Sequence, residues 1–295
     1  MKIKLLSSKN YSTDIQDYGD CILVDSGTTL VVYDCGSEAH AKRVQEYMKK
    51  RGYTTTIVVL SHDDDDHMKG IPYLLENRLV EYLYAPLFLK HLNELLDRLD
   101  DRHKREPLKE QILSYFTNIT ALAEQCRECK VELRDTLKAS TVAENISIVG
   151  PTKEYVLDAV AKAVNKCESD TIDIETISNA ISTQMSCRQE KHKALLCGDG
   201  SFEAIKDAVA EHNVIQLPHH GKLATAQSIF DARKWKNGTV YLVSDNKGTA
   251  TGGSGDLPKQ GYNIQNTRNG DVEYTLAALV QSGGYTGRTL GQIWR

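Results

Sequence analysis

Short blocks of β-branched and aliphatic residues, punctuated by glycine and serine turns, open the chain. They run from Lys2 to Leu6, over Cys21-Ile22-Leu23-Val24-Asp25, through a turn at Ser26-Gly27-Thr28-Thr29, and over Leu30-Val31-Val32-Tyr33-Asp34. This pattern predicts paired strands, with Gly36 closing the hairpin region. A helical period follows from about Ala39 to Arg51 and stops at Gly52. The run Thr54-Thr55-Thr56-Ile57-Val58-Val59-Leu60 then reads as a buried strand. Strand, helix and strand in that order predict an α/β fold.

A short helix near Ile71 to Glu76 and a strand around Glu81 to Tyr84 come next. Phe88, Leu92, Leu95, Leu96 and Leu99 recur at helical spacing, as do Leu108, Ile112, Tyr115, Phe116, Ile119 and Leu122. These stripes predict a helical hairpin between about Pro86 and Lys130, inserted in one domain spanning 1–295; packing, not cofactor binding, is their ordinary use. Beyond it, Val131-Glu132-Leu133, Ile146 to Pro151, Ala180 to Ser186 and Lys193 to Cys197 read as strands, with a helix over Lys153 to Cys167 and a Gly-rich loop at Thr249 to Gly255. No fixed-period repeat interrupts the pattern.

The strand ending at Leu60 runs straight into Ser61-His62-Asp63-Asp64-Asp65-Asp66-His67. His62, Asp64, Asp66 and His67 place four metal-competent side chains within six residues, where a chain leaving a strand can converge them on one point. Most acidic runs are solvated faces, but adjacent carboxylates beside a buried segment repel unless cations offset them. A calcium loop needs glycine at its sixth place, and that place falls on His67, Met68 or Lys69 in the available registers. His62 with Asp64, and Asp66 with His67, outline a two-metal site. Two later strands end the same way, one in Cys197-Gly198-Asp199-Gly200 and one in Pro218-His219-His220-Gly221.

Composition narrows the picture. With 295 residues, 40% of them hydrophobic, the chain can bury one large core. No apolar stretch reaches membrane-spanning length and the start lacks a signal-peptide core, so a cytoplasmic protein without membrane attachment is expected. Seven scattered cysteines suggest reduced thiols, and the Cys126-x-x-Cys129 pair has no second half to complete a zinc knuckle. A net charge of −4 gives no global basic field for nucleic acid. Local candidates are Arg102-His103-Lys104-Arg105, Arg188 with Lys191 and Lys193, and Arg233-Lys234-Trp235-Lys236, whose tryptophan could stack a base.

On these motifs the chain resembles the metallo-β-lactamase superfamily, and within it the hydrolase domain of the ComEC competence proteins. The likeness rests on His62-x-Asp64-x-Asp66-His67, Tyr18-Gly19-Asp20-Cys21, Asp34-Cys35-Gly36, Asn179 with Ser182, Leu196-Cys197-Gly198-Asp199, Pro218-His219-His220-Gly221 and Val243-Ser244-Asp245-Asn246. It implies a four-layer αββα sandwich with metals at one edge between two mixed sheets. It also implies His62 and Asp64 on one ion, Asp66 and His67 on the other, Asp199 bridging, and His220 completing the second, with His219 as a phosphate contact. Lys222, Ser244 and Asn246 join His219 as substrate-binding candidates, and Asp66 and His219 are the catalytic candidates. Neither the separate histidine that many superfamily members place between the two ligand stretches nor a later His-Pro pair has a counterpart here, which leaves the proton donor unassigned.

Two divalent ions carry four positive charges, which three aspartates and a bridging hydroxide cancel, so an anionic phosphodiester can be clamped. Three carboxylates with three imidazoles make manganese a competitor to zinc. The expected activity is therefore hydrolysis of DNA or RNA by a metal-bridged hydroxide, by a stand-alone relative working with partner proteins, for example in bacterial defence. A small phosphoester or lactone hydrolase, and a metal-stabilised interaction module without turnover, are the alternatives.

Overall fold

Val58 and Leu60 face one core and Ile57 and Val59 another, so their strand is buried on both sides and its continuous apolar run is explained. That strand lies within one of two seven-stranded sheets in a computed structural model, which describes residues 1–8, 19–99, 117–166, 171–172, 175–235, 238–245 and 253–276.

The first sheet takes β1 (Lys2–Leu5), β2 (Ile22–Asp25), β3 (Leu30–Tyr33), β4 (Thr56–Val59), β5 (Val80–Ala85) and β6 (Glu132–Asp135), with a C-terminal strand, β16 (Val272–Thr275), on the outer edge of β1. Its first four neighbours are antiparallel, and β3 to β6 are parallel. The second sheet has the order β15-β14-β13-β12-β11-β8-β7, from β7 (Ser140–Ala143), β8 (Ile146–Gly150), β11 (Gln184–Gln189), β12 (His192–Leu196), β13 (Val214–Gln216), β14 (Val240–Val243) and β15 (Asn263–Asn266). A two-stranded ribbon, β9 (Thr171–Ile172) and β10 (Glu175–Thr176), stands apart. Strands β12 to β15 are parallel, so β12, β13 and β14 deliver their carboxyl ends to one edge.

The facing sheets enclose one core, which includes Tyr33, Val59, Met185 and Leu242. Helices cover the outer faces: α1 (Glu38–Arg51), α3 (Ile71–Glu76) and α5 (Thr117–Cys129) on the first sheet, and α8 (Phe202–Glu211) and α9 (Leu223–Arg233) on the second. The expected layered α/β sandwich is thus present. Helix α1 starts where Ser37 accepts from the His40 amide and stops at Gly52, whose φ of 78° is the left-handed cap only glycine takes freely.

Two expectations change, and a third, the helical hairpin, lies partly outside the described residues. Residues 100–116, and with them Leu108, Ile112, Tyr115 and Phe116, lie outside the described segments. The two helical pieces that are described seat on different cores: α4 (Leu92–Leu96) packs with α6 (Lys153–Lys166), while Ile119, Leu122 and Cys126 of α5 pack beside α3. The segment read as a strand from Ala180 begins with a helical turn instead, α7 (Ile177–Ala180), capped by Thr176, and pairing starts only at Gln184. Strands β7, β14, β15 and β16 escaped the sequence pattern, and the last two are edge strands of mixed polarity. Among the described residues no helix is long and apolar enough to cross a membrane.

Candidate metal centre

At the end of β4 the chain turns under tight backbone control. Asp34 accepts from the Ser61 amide and hydroxyl, both at 2.7 Å, which fixes the first residue of the acidic loop. Asp65–Met68 then forms a single helical turn, α2. The Asp66 carbonyl accepts from the Asp20 amide at 2.9 Å, and the His67 carbonyl from the Cys35 amide at 2.8 Å. Gly19 and Gly36 crowd that same Asp66 carbonyl: a Cβ on either would sit 2.0 or 2.1 Å from it. The Gly-Asp and Asp-Cys-Gly signals near the start are thus clamps on the ligand loop, a role the sequence alone did not assign.

The second sheet supplies its part through the ends of β12 and β13. Asp199 follows β12, and Gln216 at the end of β13 accepts from the Cys197 and Gly198 amides while donating to Asp20 at 3.0 Å. His219 and His220, in the helical turn Pro218–Gly221, hold left-handed φ values of 50° and 55°. Each non-glycine residue there costs about 1–3 kcal/mol, strain that persists where surrounding structure imposes it and that clusters at functional sites.

These stretches meet. His220 Nε2 lies 3.0 Å from Asp66 Oδ2, His67 Nε2 is 3.4 Å from Asp199 Oδ1 and 3.9 Å from Asp66 Oδ1, and His62 Nε2 is 3.6 Å from Asp64 Oδ2. Asp199 Oδ2 stands 3.9 Å from Nε2 of both His219 and His220. Four sets of ligand atoms here fall within 4.8 Å of one another: His62, His67 and Asp199; Asp66, His67 and His220; Asp20, Asp34 and His67; and Asp20, Asp199 and His220. Asp64 is closest to His62, and its side chain is 44% exposed, on the open side. Asp63 turns away to accept from Ser178 at 2.6 Å.

Counting protons fixes the imidazoles. Ser61 Oγ donates to Asp34 and Ser182 Oγ to the Asn179 carbonyl, so both hydroxyls can only accept from His62 Nδ1, at 2.9 and 3.2 Å. His67 Nδ1 faces Asp34 at 2.9 Å, and His220 Nδ1 faces Asp20 and the Ser244 carbonyl, both at 3.1 Å. Each ring therefore carries its proton on the outer nitrogen and turns Nε2 inward, the arrangement in which an outer acceptor orients a ligating histidine.

Three of the inward atoms, His62 Nε2, His67 Nε2 and Asp199 Oδ1, are buried and make no hydrogen bond. Leaving three such groups unpaired is costly, and a cation among them removes the cost. Charge points the same way. Burial pulls the His67 and His220 imidazoles down, yet Asp199 with Asp66 and Asp34 holds the first well above the ordinary histidine range, and Asp199 with Asp20 and Asp66 the second. Burial pushes Asp199 and Asp66 up, yet the neighbouring imidazoles hold both below the usual carboxylate range. The donor set fits divalent metal.

At the rim, His219 Nδ1 is 2.6 Å from Glu175 Oε2, and Lys222 Nζ donates to Glu175 Oε1 at 2.9 Å. Glu175 is buried, whereas the His219 and Lys222 side chains remain 20% and 28% exposed. The Ser244 side chain is buried behind His220, and Asn246 lies outside the described residues. Sequence reasoning missed Glu175, Asp20, Asp34, Ser182 and Gln216 as working parts of the centre. Asp20, Asp34 and Ser182 stood inside the resembling motifs, while nothing local marks Glu175.

The sequence profile of the Metallo-beta-lactamase superfamily matches residues 15–244. No curated protein matches the chain in sequence. Among solved structures, a diphosphatase from the PhnP family is similar at 15% identity, covering 94% of this chain and 98% of its own, with a TM-score of 0.47. The metallo-beta-lactamase fold protein YhfI from Bacillus subtilis is similar at 14% identity over 73% of this chain and 70% of its own, TM-score 0.41. The short form of human tRNase Z is similar at 10% identity over 83% and 92%, TM-score 0.42.

Proposed function

The chain belongs to the metallo-beta-lactamase superfamily, a family of metal-dependent hydrolases, and from that premise we propose that it hydrolyses phosphodiester bonds in DNA or RNA. The observation that carries this reading is the trio of buried, unbonded atoms on His62, His67 and Asp199, with Asp66 grouped beside His67 and Asp64 3.6 Å from His62. His62 and Asp64 would hold one divalent ion, Asp66, His67 and His220 the other, and Asp199 would reach both. When bound, such ions neutralise phosphate charge and make water nucleophilic at neutral pH. The mixture of three carboxylates and three imidazoles suits zinc or manganese.

The remaining work falls to the chain. Asp34 and Asp20 accept from the outer imidazole nitrogens of His67 and His220, so that Nε2 is the nitrogen each ring would present to a metal. His219, steered by Glu175, offers Nε2 to a phosphate oxygen, and Lys222 on the same carboxylate places a cation at the mouth. Asp66, whose backbone carbonyl is clamped by the Asp20 amide and the two glycines, accepts a hydrogen bond from the attacking water and aims it. By resemblance to the ComEC-type domain, the protein works in the cytoplasm as a hydrolase with partner proteins, for example in defence against foreign DNA.

The test is incubation with single- and double-stranded DNA, RNA and a generic phosphodiester ester, with Mn²⁺, Zn²⁺ or chelator, alongside Asp66→Ala. Metal-dependent cleavage lost in Asp66→Ala supports the assignment. Cleavage that survives the substitution refutes it, and two bound metals without cleavage of any substrate point to an interaction module instead.

A further inference from the structure

The end of the second sheet away from the metals holds a second feature that the hydrolytic centre does not use. The amino-terminal ends of β14 and β15 and the carboxyl end of α9 enclose a cavity of about 300 Å³ lined by Phe230, Arg233, Lys234, Thr239, Tyr241 and Tyr262. Its wall is aromatic. Phe230 stacks on Tyr262 with centroids 3.9 Å apart and planes 17° apart, and Tyr241 meets Phe230 edge-on at 4.9 Å. Tyr262 remains 39% exposed, and Trp235, next to the lining residues, is 86% exposed with Lys234 Nζ 5.3 Å from its ring.

The floor is cationic without a carboxylate partner among the described residues. Arg233 is 7% exposed, and Nε and Nη2 donate to Thr239 Oγ1 while Nη1 donates to the Ala210 carbonyl at 3.0 Å. A guanidinium has five N–H groups, so these bonds leave one on Nη1 and one on Nη2 to give. Burial, opposed only by the neighbouring Tyr241, pulls its charge below the ordinary arginine range, the mark of a cation lacking an anion. Glu211, at the same end of the sheet, is already paired with Lys193 at 3.1 Å.

We propose that this cavity binds a nucleotide, its base stacked on Tyr262 and Trp235 and its phosphate held by Arg233 and Lys234. Flat aromatic faces accept any base, and paired cations select the phosphorylated form over the nucleoside. The nucleotide is either free or the end of a single strand, and the site does not require that the metal centre cleave nucleic acid.

Fluorescence titration of the full chain tests this. The sequence has two tryptophans, so a Trp294→Phe background leaves Trp235 as the single reporter, and chelator removes any contribution from the metals. Adenosine 5′-monophosphate is expected to quench Trp235 saturably, inorganic phosphate to compete weakly, and Tyr262→Ala or Lys234→Glu to weaken binding about tenfold or more. Hydrolysis of a generic phosphodiester should be unchanged in Lys234→Glu, and the quench is readable even if no hydrolysis exists. Tighter binding of a short oligothymidylate than of the monophosphate identifies the strand as the source, and the reverse a free nucleotide. No quench by either ligand overturns the proposal. So does binding indifferent to both substitutions, or inorganic phosphate binding as tightly as the monophosphate.

Discussion

The floor and the rim of the centre use the same device for different ends. On the floor, Asp34 and Asp20 are wholly buried and each orients one histidine, His67 and His220, whose inner nitrogen faces the carboxylates of Asp66 and Asp199. At the rim, Glu175 is also buried, yet it serves two side chains at once, His219 and Lys222, and both keep part of their surface in solvent. A carboxylate committed to one buried imidazole sets that ring's proton and orientation; one shared between two half-exposed groups sets where positive charge meets an incoming substrate. The difference separates metal affinity from substrate handling, and substitutions can pull the two apart.

The largest effect is expected where both functions depend on one side chain. Asp199→Ala removes the carboxylate that approaches His67, His219 and His220 together. Turnover should fall by at least about 10²- to 10³-fold, the scale of losing a principal electrostatic group, and elemental analysis should show metal content reduced. Retained metal with full turnover would remove Asp199 from the centre. Next comes the floor. Asp34→Asn weakens the acceptor for His67 Nδ1 and should lower metal affinity about 10- to 100-fold, with turnover restored at saturating metal. If added metal fails to restore turnover while the fold is intact by circular dichroism, Asp34 does more than orient its ring.

How much of this was legible in the sequence follows the same division. The ligand stretches could be read because each is a local event: a buried apolar strand ends, and charged or imidazole side chains follow at once, as at Leu60, Cys197 and Leu217. The orienting groups could not, because each acts across the fold. Asp20 meets His220 at a separation of 200 residues, and Glu175 meets His219 at 44, from a strand of two residues with no periodicity to announce it. The misread segment has a local cause. Ile181 and Thr183 are β-branched, as strand residues often are, but Thr176 caps a helical turn and Ser182 Oγ is spent on the Asn179 carbonyl, so the chain delivers that hydroxyl to His62 before pairing begins.

At the rim the expected effects are smaller and of a different kind. Glu175→Gln keeps the shape but removes the charge holding His219 and Lys222, so kcat should fall about tenfold, one charge-assisted hydrogen bond's worth, with metal content unchanged. A parallel loss of metal would move Glu175 to the floor.

The smallest effect sharpens the comparison most. Lys222 donates to Glu175 at the mouth, is 28% exposed, and shares that carboxylate with His219. If it meets a substrate anion there, Lys222→Ala should raise KM about three- to fivefold and leave kcat alone, since a partly solvated cation contributes on the order of 1 kcal/mol. Because salt screens such contacts within about 10 Å at 0.1 M, the gap between the two proteins should narrow as ionic strength rises. A Lys222→Ala protein whose kcat falls while KM holds would show that the lysine acts by fixing Glu175 under His219, and the rim would then be a single positioning unit like the floor.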